Sequence, residues 1–292
     1  INAGVPQGCV LSPTLFIIFI DDLLTITRNQ INSYADDSTL HCSTEFSSYP
    51  SANELASSRS YVISSMECDL EKILKWGSDN LVKFNEKKTQ SMAVSIKKSP
   101  PESFKFGNHQ LKRDDFVSIL GVDLSKSLCW HNHILTISKR AAQRISVLRK
   151  TRQYFSAEQL YNLYKAQVRP VIEYCAHLWG GASSTSLEIL NRLERRAVKI
   201  IGDERVTDSM QSLESRRDVS SLTVFYRYIH KDCSEELKSI MPDLRKAGQL
   251  TRASLRQHHL TVAEHTYRTD IFRKSFIPRV SRLWNKLPAE CF

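Results

Sequence analysis

Two adjacent carboxylates, Asp36 and Asp37, are the residues whose type and spacing most directly suggest chemistry. They lie between two short runs that favour strands, Ile31–Tyr34 and Ser38–His41, and adjacent aspartates favour turns. The segment is therefore predicted to be a β-hairpin with both carboxylates at its tip. Two ionised carboxylates repel each other unless a cation lies between them, and Mg²⁺ prefers carboxylate oxygens together with substrate phosphates. The hairpin is a candidate magnesium site; the alternative is an acidic surface turn.

A flexible loop and an apolar helix precede this hairpin. Gly4 and Gly8 allow the backbone to approach a ligand closely, and Pro6 stiffens the segment between them. The Ser12-Pro13 pair then favours a helix start, with serine as the N-cap. The run Thr14–Ile26 is almost wholly apolar, which predicts a buried helix.

The excess of positive over negative charge lies in the later part of the chain. Residues 1–100 hold 9 Lys or Arg and 11 Asp or Glu, whereas residues 101–292 hold 32 and 20, for a net charge of +10 overall. No acidic residue occurs between Lys126 and Arg152, where apolar residues recur at helical spacing. This pattern predicts a helix whose basic side contacts nucleic-acid phosphates, with a solvated surface as the alternative. The expected phosphate contacts are Lys139, Arg140, Arg144, Arg149, Lys150 and Arg152.

Sequence patterns predict an α+β fold around the acidic hairpin. A loop is expected over Glu45–Ser60, followed by a helix over Tyr61–Trp76 that Gly77 ends. The expected strands are Ser91–Ile96, a hairpin around Gly107-Asn108, and Val117–Leu120. With the acidic hairpin, these strands would form a small antiparallel sheet with helices on one face.

From His133 onwards the chain is predicted to be helical. A helix over His133–Tyr154 precedes a second one that begins with the capping box Ser156-x-x-Gln159 and is ended or kinked by Pro170. A third helix is expected to begin at Thr185 and to run to Ile201.

Several of these segments resemble one known family. The loop Gly4–Pro13, the apolar helix and Tyr34-Ala35-Asp36-Asp37, in this order and so close together, resemble the palm of reverse transcriptases of non-LTR (LINE-type, jockey-like) retrotransposons. Later segments resemble the same family: Trp76–Thr89, Phe116–Val122, Leu128–Ile134, Leu163–Cys175 and Phe276–Pro288. The resemblance divides the chain into a partial palm (1–125), a basic helical thumb (126–202) and a C-terminal helical region with no assigned role (203–292).

The resemblance implies template-directed nucleotidyl transfer with two Mg²⁺ ions (Mn²⁺ is possible) roughly 3.5–4 Å apart. Asp36 and Asp37 would be the catalytic metal ligands. Lys88 would neutralise or protonate the departing pyrophosphate; a plain surface lysine is the alternative. The remaining implied contacts are Pro6, Gln7, Gly8 and Tyr34 with template and incoming dNTP, and Leu120 and Gly121 with the primer end. For Gln7 and Gly8, a simple turn without ligand contact is the alternative.

The resemblance also implies parts that this chain does not include. Reverse transcriptases carry another catalytic aspartate upstream of the Pro6-Gln7-Gly8 loop, and Asp21 and Asp22 do not match its position. We therefore expect a C-terminal fragment that is inactive alone. Its expected partners are RNA template, DNA primer, dNTP, and an upstream fingers and palm portion, together with an endonuclease, from the same polyprotein. The alternative is a non-catalytic, nucleic-acid-binding relic of a mobile element.

Composition limits the remaining possibilities. No apolar run reaches the roughly 18 residues that span a membrane, so no membrane partner is expected. The seven cysteines are scattered without a C-x-x-C pair, which favours reduced thiols over zinc or disulfides. His131 and His133 lack a second pair of metal ligands and are interpreted as structural. The expected location is intracellular, in the nucleus and cytoplasm.

Overall fold

A computed structural model describes residues 4–6, 8–44, 51–94, 103–230, 233–245 and 258–292. The chain divides into two compact units, Ile1–Gly121 and Val122–Phe292. Helices and short antiparallel strand pairs make up both units together, which confirms the α+β class. No described helix has the length and apolar character needed to cross a bilayer.

The first unit contains two helices and three pieces of strand structure around one small core. Its elements are α1 (Ser12–Thr25), β1 (Gln30–Tyr34), β2 (Asp37–His41), α2 (Ala52–Asp79), β3 (Lys105–Phe106), β4 (His109–Gln110) and β5 (Phe116–Ile119). The buried core residues are Leu23, Leu70, Ile73, Trp76, Phe106 and Leu111. Because this core joins α1, α2 and the β3–β4 hairpin, it forms the floor beneath the acidic hairpin, whose Ile31 and Leu40 pack against it.

The strands of this unit lie in separate pairs and not in the single sheet predicted from the sequence. β1 pairs with β2 and β3 with β4, both antiparallel. The predicted strand over Ser91–Ile96 is absent from the described residues 91–94, where Ser91 alone forms a bridge, to Arg113. A single bridge leaves no continuous ladder there that could join the pairs.

Helix α2 is longer than predicted at both ends. It starts after Ser51, whose side chain accepts a hydrogen bond from the Glu54 amide, so the predicted loop is wrong for residues 51–60. Residues 45–50 lie outside the described residues. Gly77 does not end the helix but lies in its last turn, where its carbonyl accepts a hydrogen bond from the Val82 amide at 2.7 Å.

Helix α1 is exposed, and the prediction of a buried helix is wrong. Its N-cap is Leu11, while Ser12 uses its hydroxyl to donate to the Pro6 carbonyl at 2.5 Å. Ile20 and Leu23 face the core, but five large apolar residues are more than a third exposed: Leu15, Ile17, Ile18, Phe19 and Leu24. The apolar character extends around the whole helix, whereas the unit covers only one side of it.

In its described residues, the second unit is helical apart from one strand and a single bridge between Leu244 and Val262. Its elements are β6 (Val122–Ser125), α3 (His131–Thr151), a 3₁₀ turn (Arg152–Tyr154), α4 (Ala157–Leu163), a π turn (Tyr164–Val168), α5 (Arg169–Glu173), α6 (Ala176–Trp179), α7 (Ser184–Ile201), α8 (Glu204–Thr207), α9 (Leu213–Ile229), α10 (Glu235–Ile240), α11 (Asp270–Lys274), α12 (Phe276–Trp284) and a final 3₁₀ turn (Ala289–Cys291). The predicted domain boundaries at 125 and 202 stay predictions.

Helices α3 and α7 run parallel and form the main core of this unit. His131 at the start of α3 bonds Ser186 at the start of α7, and Arg152 after α3 lies beside Gly202 after α7. The buried face of α3 is the predicted one: Ile134, Ile137, Ala141, Ile145 and Leu148. The regular spacing of these residues and the absence of a helix breaker made this prediction reliable.

The capping box, the break at Pro170 and the helix end at Ile201 are present as predicted, whereas the start of α7 differs. Ser156 and Gln159 form the reciprocal capping box at the start of α4. Pro170 interrupts the helix, which passes through the π turn immediately before it, because proline offers no amide hydrogen. The start of α7 is capped by Ser183 and not by Thr185, since the Ser183 hydroxyl accepts from the Ser186 amide.

The C-terminal part packs around Trp284. Its indole nitrogen donates to the Leu260 carbonyl at 2.8 Å, and the neighbouring Asn285 amide bonds both backbone groups of Val262 at 3.0 Å. Arg279 of α12 donates to the His177 carbonyl and to the Ser221 hydroxyl. Trp284 and Asn285 therefore attach the end of α12 to the backbone around Leu260 and Val262.

Candidate active site and nucleic-acid interface

The predicted acidic hairpin is present, but only one of its two carboxylates lies in the turn. Strands β1 and β2 are joined by the two-residue turn Ala35-Asp36, and Tyr34 pairs with Asp37 across the ladder. Asp36 therefore lies in the turn, whereas Asp37 is the first residue of β2 and not a turn residue as predicted. The shift arises because Ala35 adopts a left-handed conformation, with φ +52°, which closes the turn one residue earlier.

One face of the hairpin packs on the core and the other faces solvent. Ile31 and Leu40 lie against the core, and the hydroxyls of Ser33 and Ser38 meet at 2.7 Å on the same face. Because strand side chains alternate, Asp37 lies on the opposite, outer face with its cross-strand partner Tyr34, which is 69% exposed. Asp36 and Asp37 are both exposed, and no described residue forms an ion pair with either of them. Because no described cation competes for them, these two carboxylates are suitable ligands for a divalent metal ion.

A buried acid that sequence reasoning missed fixes the base of this hairpin. Asp69 of α2 is fully buried and accepts hydrogen bonds from the backbone amides of Arg28 and Asn29 at 2.8–3.0 Å. It also accepts from the Asn29 side chain and from Lys72, both at 2.9 Å. Because β1 begins at Gln30, this carboxylate ties the strand that leads to the carboxylates to the long helix. The sequence signal was an acid at helical spacing between Met66 and Ile73.

The protonation of Asp69 follows from these contacts. Burial opposes ionisation, but the backbone amides of Asn29 and Arg28 together with Lys72 outweigh it and lower the pKa of Asp69 below its usual value. The carboxylate is therefore held as an anion in the folded chain.

Lys88 lies in a separate turn and is not joined to the carboxylates. Asn85 organises this turn, because its carbonyl accepts from the amides of Lys88 and Thr89 at 3.0 and 3.2 Å. Among the residues that the structure describes, no hydrogen bond or ion pair links Lys88 to Asp36 or Asp37. The predicted role of Lys88 stays a prediction.

The loop before α1 has the flexibility that its glycines predict. Gly4 and Gly8 have φ values of +99° and +86°, and a Cβ on either would meet no atom within 4 Å. Pro6 and Gly8 are exposed, so both are accessible to a ligand. Gln7 lies outside the described residues.

The predicted primer contacts form a tight turn. Leu120 and Gly121 follow β5 with φ +48° and +81°, and Leu120 is 43% exposed. Two successive positive φ values bring an apolar side chain and a glycine to the surface at one point.

The basic side of α3 is present as predicted. All six cations expected to contact phosphates are exposed, and α3 has no acidic residue on any side. Arg144 donates to the Gln167 carbonyl at 2.7 Å, and no described acid pairs with the other five. In α7, by contrast, the exposed Arg192 and Arg195 both pair with Glu188. The face is therefore an unneutralised positive surface.

The two histidines at the start of α3 make structural contacts, in agreement with their interpretation from the sequence. Asp123 donates its amide to Nδ1 of His133, and burial lowers the pKa of His133 although the Asp123 carboxylate opposes that shift. His131 bonds Ser186. No group of three potential metal-ligating side chains occurs within the described part of the chain.

Comparison with known proteins agrees with this geometry. The family described as reverse transcriptase (RNA-dependent DNA polymerase) matches residues 1–124, which include the loop, α1 and the acidic hairpin. The chain is 24% identical over 69% of its length to the "RNA-directed DNA polymerase from mobile element jockey" of Drosophila melanogaster. It is 26% identical over 69% of its length to the "Probable RNA-directed DNA polymerase from transposon BS" of the same species.

A third relative extends the likeness further along the chain. The jockey polymerase of Drosophila funebris is 22% identical over 82% of this chain. The chain spans only 22–26% of the length of these curated relatives. No solved structure matches it. The order and spacing of the motifs, the hairpin that they form and the matched segment agree: residues 1–124 are similar to the reverse transcriptase family, and the similar curated proteins are RNA-directed DNA polymerases of mobile elements.

Proposed function

We propose that the chain is part of an RNA-directed DNA polymerase and that Asp36 and Asp37 hold its catalytic metal ions. The observation that carries this proposal is the exposed, unpaired carboxylate pair on a hairpin tied to the core at its base. Two divalent ions there would activate the primer 3′-hydroxyl and neutralise the departing pyrophosphate. The chain itself contributes the anionic ligands and their fixed position, and Tyr34 offers an exposed ring beside them for a nucleotide.

We propose that at least one further carboxylate comes from outside these 292 residues. The described residues contain no cluster of three metal-ligating side chains, so Asp36 and Asp37 have no third partner there. Two ions shared between two carboxylates would keep most of their coordination in water, which weakens binding. Residues 1–292 alone are therefore expected to bind nucleic acid without extending a primer.

The additional polypeptide that we propose is also expected to cover helix α1. Its exposed residues form an apolar surface of a kind that marks interaction sites, and they lie in the segment that the family matches. We infer that a further palm and fingers portion of the same product packs on this face. The curated relatives are about four times longer than the aligned part, which leaves ample polypeptide for this role.

The basic side of α3 is the proposed contact for primer and template. Backbone phosphates would bind its exposed cations, and such contacts fix position and carry no sequence information. An RNA–DNA hybrid would be held by its shape and charge.

Primer extension tests this proposal. The chain is incubated with a DNA primer on an RNA template, dNTP and Mg²⁺, alone and after addition of the upstream polypeptide that the gene encodes. We expect binding without extension by the chain alone, and extension once the upstream part is present. Asp36→Asn should abolish extension, whereas Asp22→Asn, at an exposed acid of α1, should not.

Two results would contradict the proposal in different ways. Extension by residues 1–292 alone, lost in Asp36→Asn, would show that no outside carboxylate is needed. Binding with no extension under either condition, and no effect of Asp36→Asn on any metal-dependent property, would favour the non-catalytic relic.

A further inference from the structure

The C-terminal end of α3 carries a shallow basic depression. It has a volume of about 460 Å³ and is lined by Arg149, Lys150, Arg152 and Gln153. The lining contains three cations and no carboxylate, so the depression suits an anion.

The three cations are available for a ligand. None of them forms an ion pair with a described residue, and all three are exposed. Arg152 is held by its surroundings: a Cβ built on Gly202 would lie 2.8 Å from its Nη2 atom, so the guanidinium packs against the end of α7. Its guanidinium therefore lies beside Gly202, at the end of α7.

An exposed aromatic residue follows the depression directly. Tyr154, the last residue of the 3₁₀ turn, is 73% exposed, and the next residue, Phe155, is 41% exposed. Large aromatic side chains usually bury their faces, as Tyr164 and Trp179 do in the core of this unit, where both are fully buried. Tyr154 follows the lining residue Gln153 in the chain. Proteins that bind single strands combine exposed aromatic rings, on which bases stack, with cations that contact the phosphates.

We propose that this end of α3 binds one nucleotide of a single-stranded nucleic acid. The phosphate would accept hydrogen bonds from the arginines of the depression, and the base would stack on Tyr154. A base inside a duplex presents no free face, so the site would favour single strands over duplexes. The inference rests on the proposed nucleic-acid binding by α3, but not on polymerase activity.

The test measures binding of the full chain to two labelled oligonucleotides, a single-stranded 12-mer and a hairpin duplex of equal charge, at several salt concentrations. Tyr154→Leu is expected to weaken single-strand binding by roughly 5- to 100-fold, the range of a lost stacking contact, without changing the salt slope. Tyr154→Phe should restore binding, because it keeps the ring. Arg149→Gln should instead reduce the salt slope by roughly 0.7, as expected for one lost phosphate contact on a single strand.

Control variants and contrary outcomes distinguish binding at this site from general electrostatic attraction to the basic face. Tyr61→Leu, at a tyrosine of α2 that is 60% exposed, should have no effect. Unchanged single-strand binding by Tyr154→Leu, or an equal loss for single strand and duplex, would overturn the proposed site. Binding of inorganic phosphate without binding of the single strand would also overturn it. Failure of the unsubstituted chain to bind either oligonucleotide would contradict the basic face itself, and the site with it.

Discussion

At the scale of single residues, Asp69 decides whether the candidate site has a fixed position. It receives two backbone amides and two side-chain donors while fully buried. We expect Asp69→Asn to destabilise the first unit by about 3 kcal/mol, because the backbone donors and Lys72 lose their anionic partner. Hydrogen exchange of the amides of Arg28 and Asn29 would report this loss directly. Lys72→Met is the matched control and should cost about 1 kcal/mol or less, since it keeps the amide contacts.

The same carboxylate predicts a pH dependence. Because the folded pKa of Asp69 is lowered below the unfolded value of about 3.9, its contribution is fully present above that value and is lost as pH falls through the folded pKa. The free energy of unfolding of the wild-type chain should therefore fall more steeply with acid below about pH 4 than that of Asp69→Asn. Parallel curves for the two proteins between pH 5 and pH 2 would show that the lowered pKa has no role in stability.

A substitution at Ala35 is expected to preserve or raise stability, in contrast to the loss expected for Asp69→Asn. The φ of +52° at Ala35 costs an alanine roughly 1 kcal/mol, which a glycine avoids. Ala35→Gly should therefore keep or slightly raise hairpin stability, as measured by amide exchange in β1 and β2, while Ala35→Val should lower it by 1 kcal/mol or more. Greater protection of the hairpin in the valine variant would show that the turn does not need the left-handed conformation.

Residue types predicted the hairpin and the turn position of Asp36 correctly because strand formers flank the two acids, but they placed Asp37 in the turn and not in β2. Asp69 could not be predicted in the same way, since its partners are backbone amides forty residues away. Nothing in a sequence marks which amides a buried acid will meet.

At the scale of elements, close packing at Gly77 outweighs the helix propensity of the residue. A Cβ at this position would lie 2.6 Å from the Val82 carbonyl oxygen and 2.8 Å from the Phe84 ring. Gly77→Ala should therefore destabilise the first unit by about 1–3 kcal/mol, although alanine is the better helix former. Ser60→Ala, at an exposed position of the same helix, should be neutral or slightly stabilising when both are compared by denaturant unfolding. A gain in stability for Gly77→Ala would mean that α2 and the following segment can separate without cost.

The periodicity of apolar residues predicted the buried face of α3 correctly, but its prediction that α1 is buried was wrong. Both outcomes have the same physical reason. The apolar residues of α3 occupy a single face, so its neighbours could be inferred from the pattern alone. Those of α1 surround the helix, and the pattern does not state which polypeptide covers each side. The exposed Ile17 and Ile18 are the consequence.

At the scale of the whole molecule, charge separates the two parts of the chain. The net positive charge lies after residue 100, and α3 concentrates it on one exposed face. We expect duplex binding to weaken with salt, and the double variant Lys139→Gln, Arg140→Gln to reduce the slope of log affinity against log salt by about 2, independently of oligonucleotide sequence. Arg192→Gln should change it little, because Glu188 already pairs with that arginine. An unchanged slope in the double variant would place nucleic acid elsewhere on the molecule.

The most direct test of the proposed polymerase site is where a divalent ion binds. Mn²⁺ titrated into the isotopically labelled chain broadens amide resonances near its binding site, and the adjacent exposed acids Asp21 and Asp22 provide an internal comparison within the same unit. We expect the earliest broadening at Tyr34–Ser38, reversal by excess Mg²⁺, and its loss in Asp37→Asn. Equal broadening around Asp21 and Asp22, or none at the hairpin, would contradict a metal site at Asp36 and Asp37 and leave an acidic surface turn.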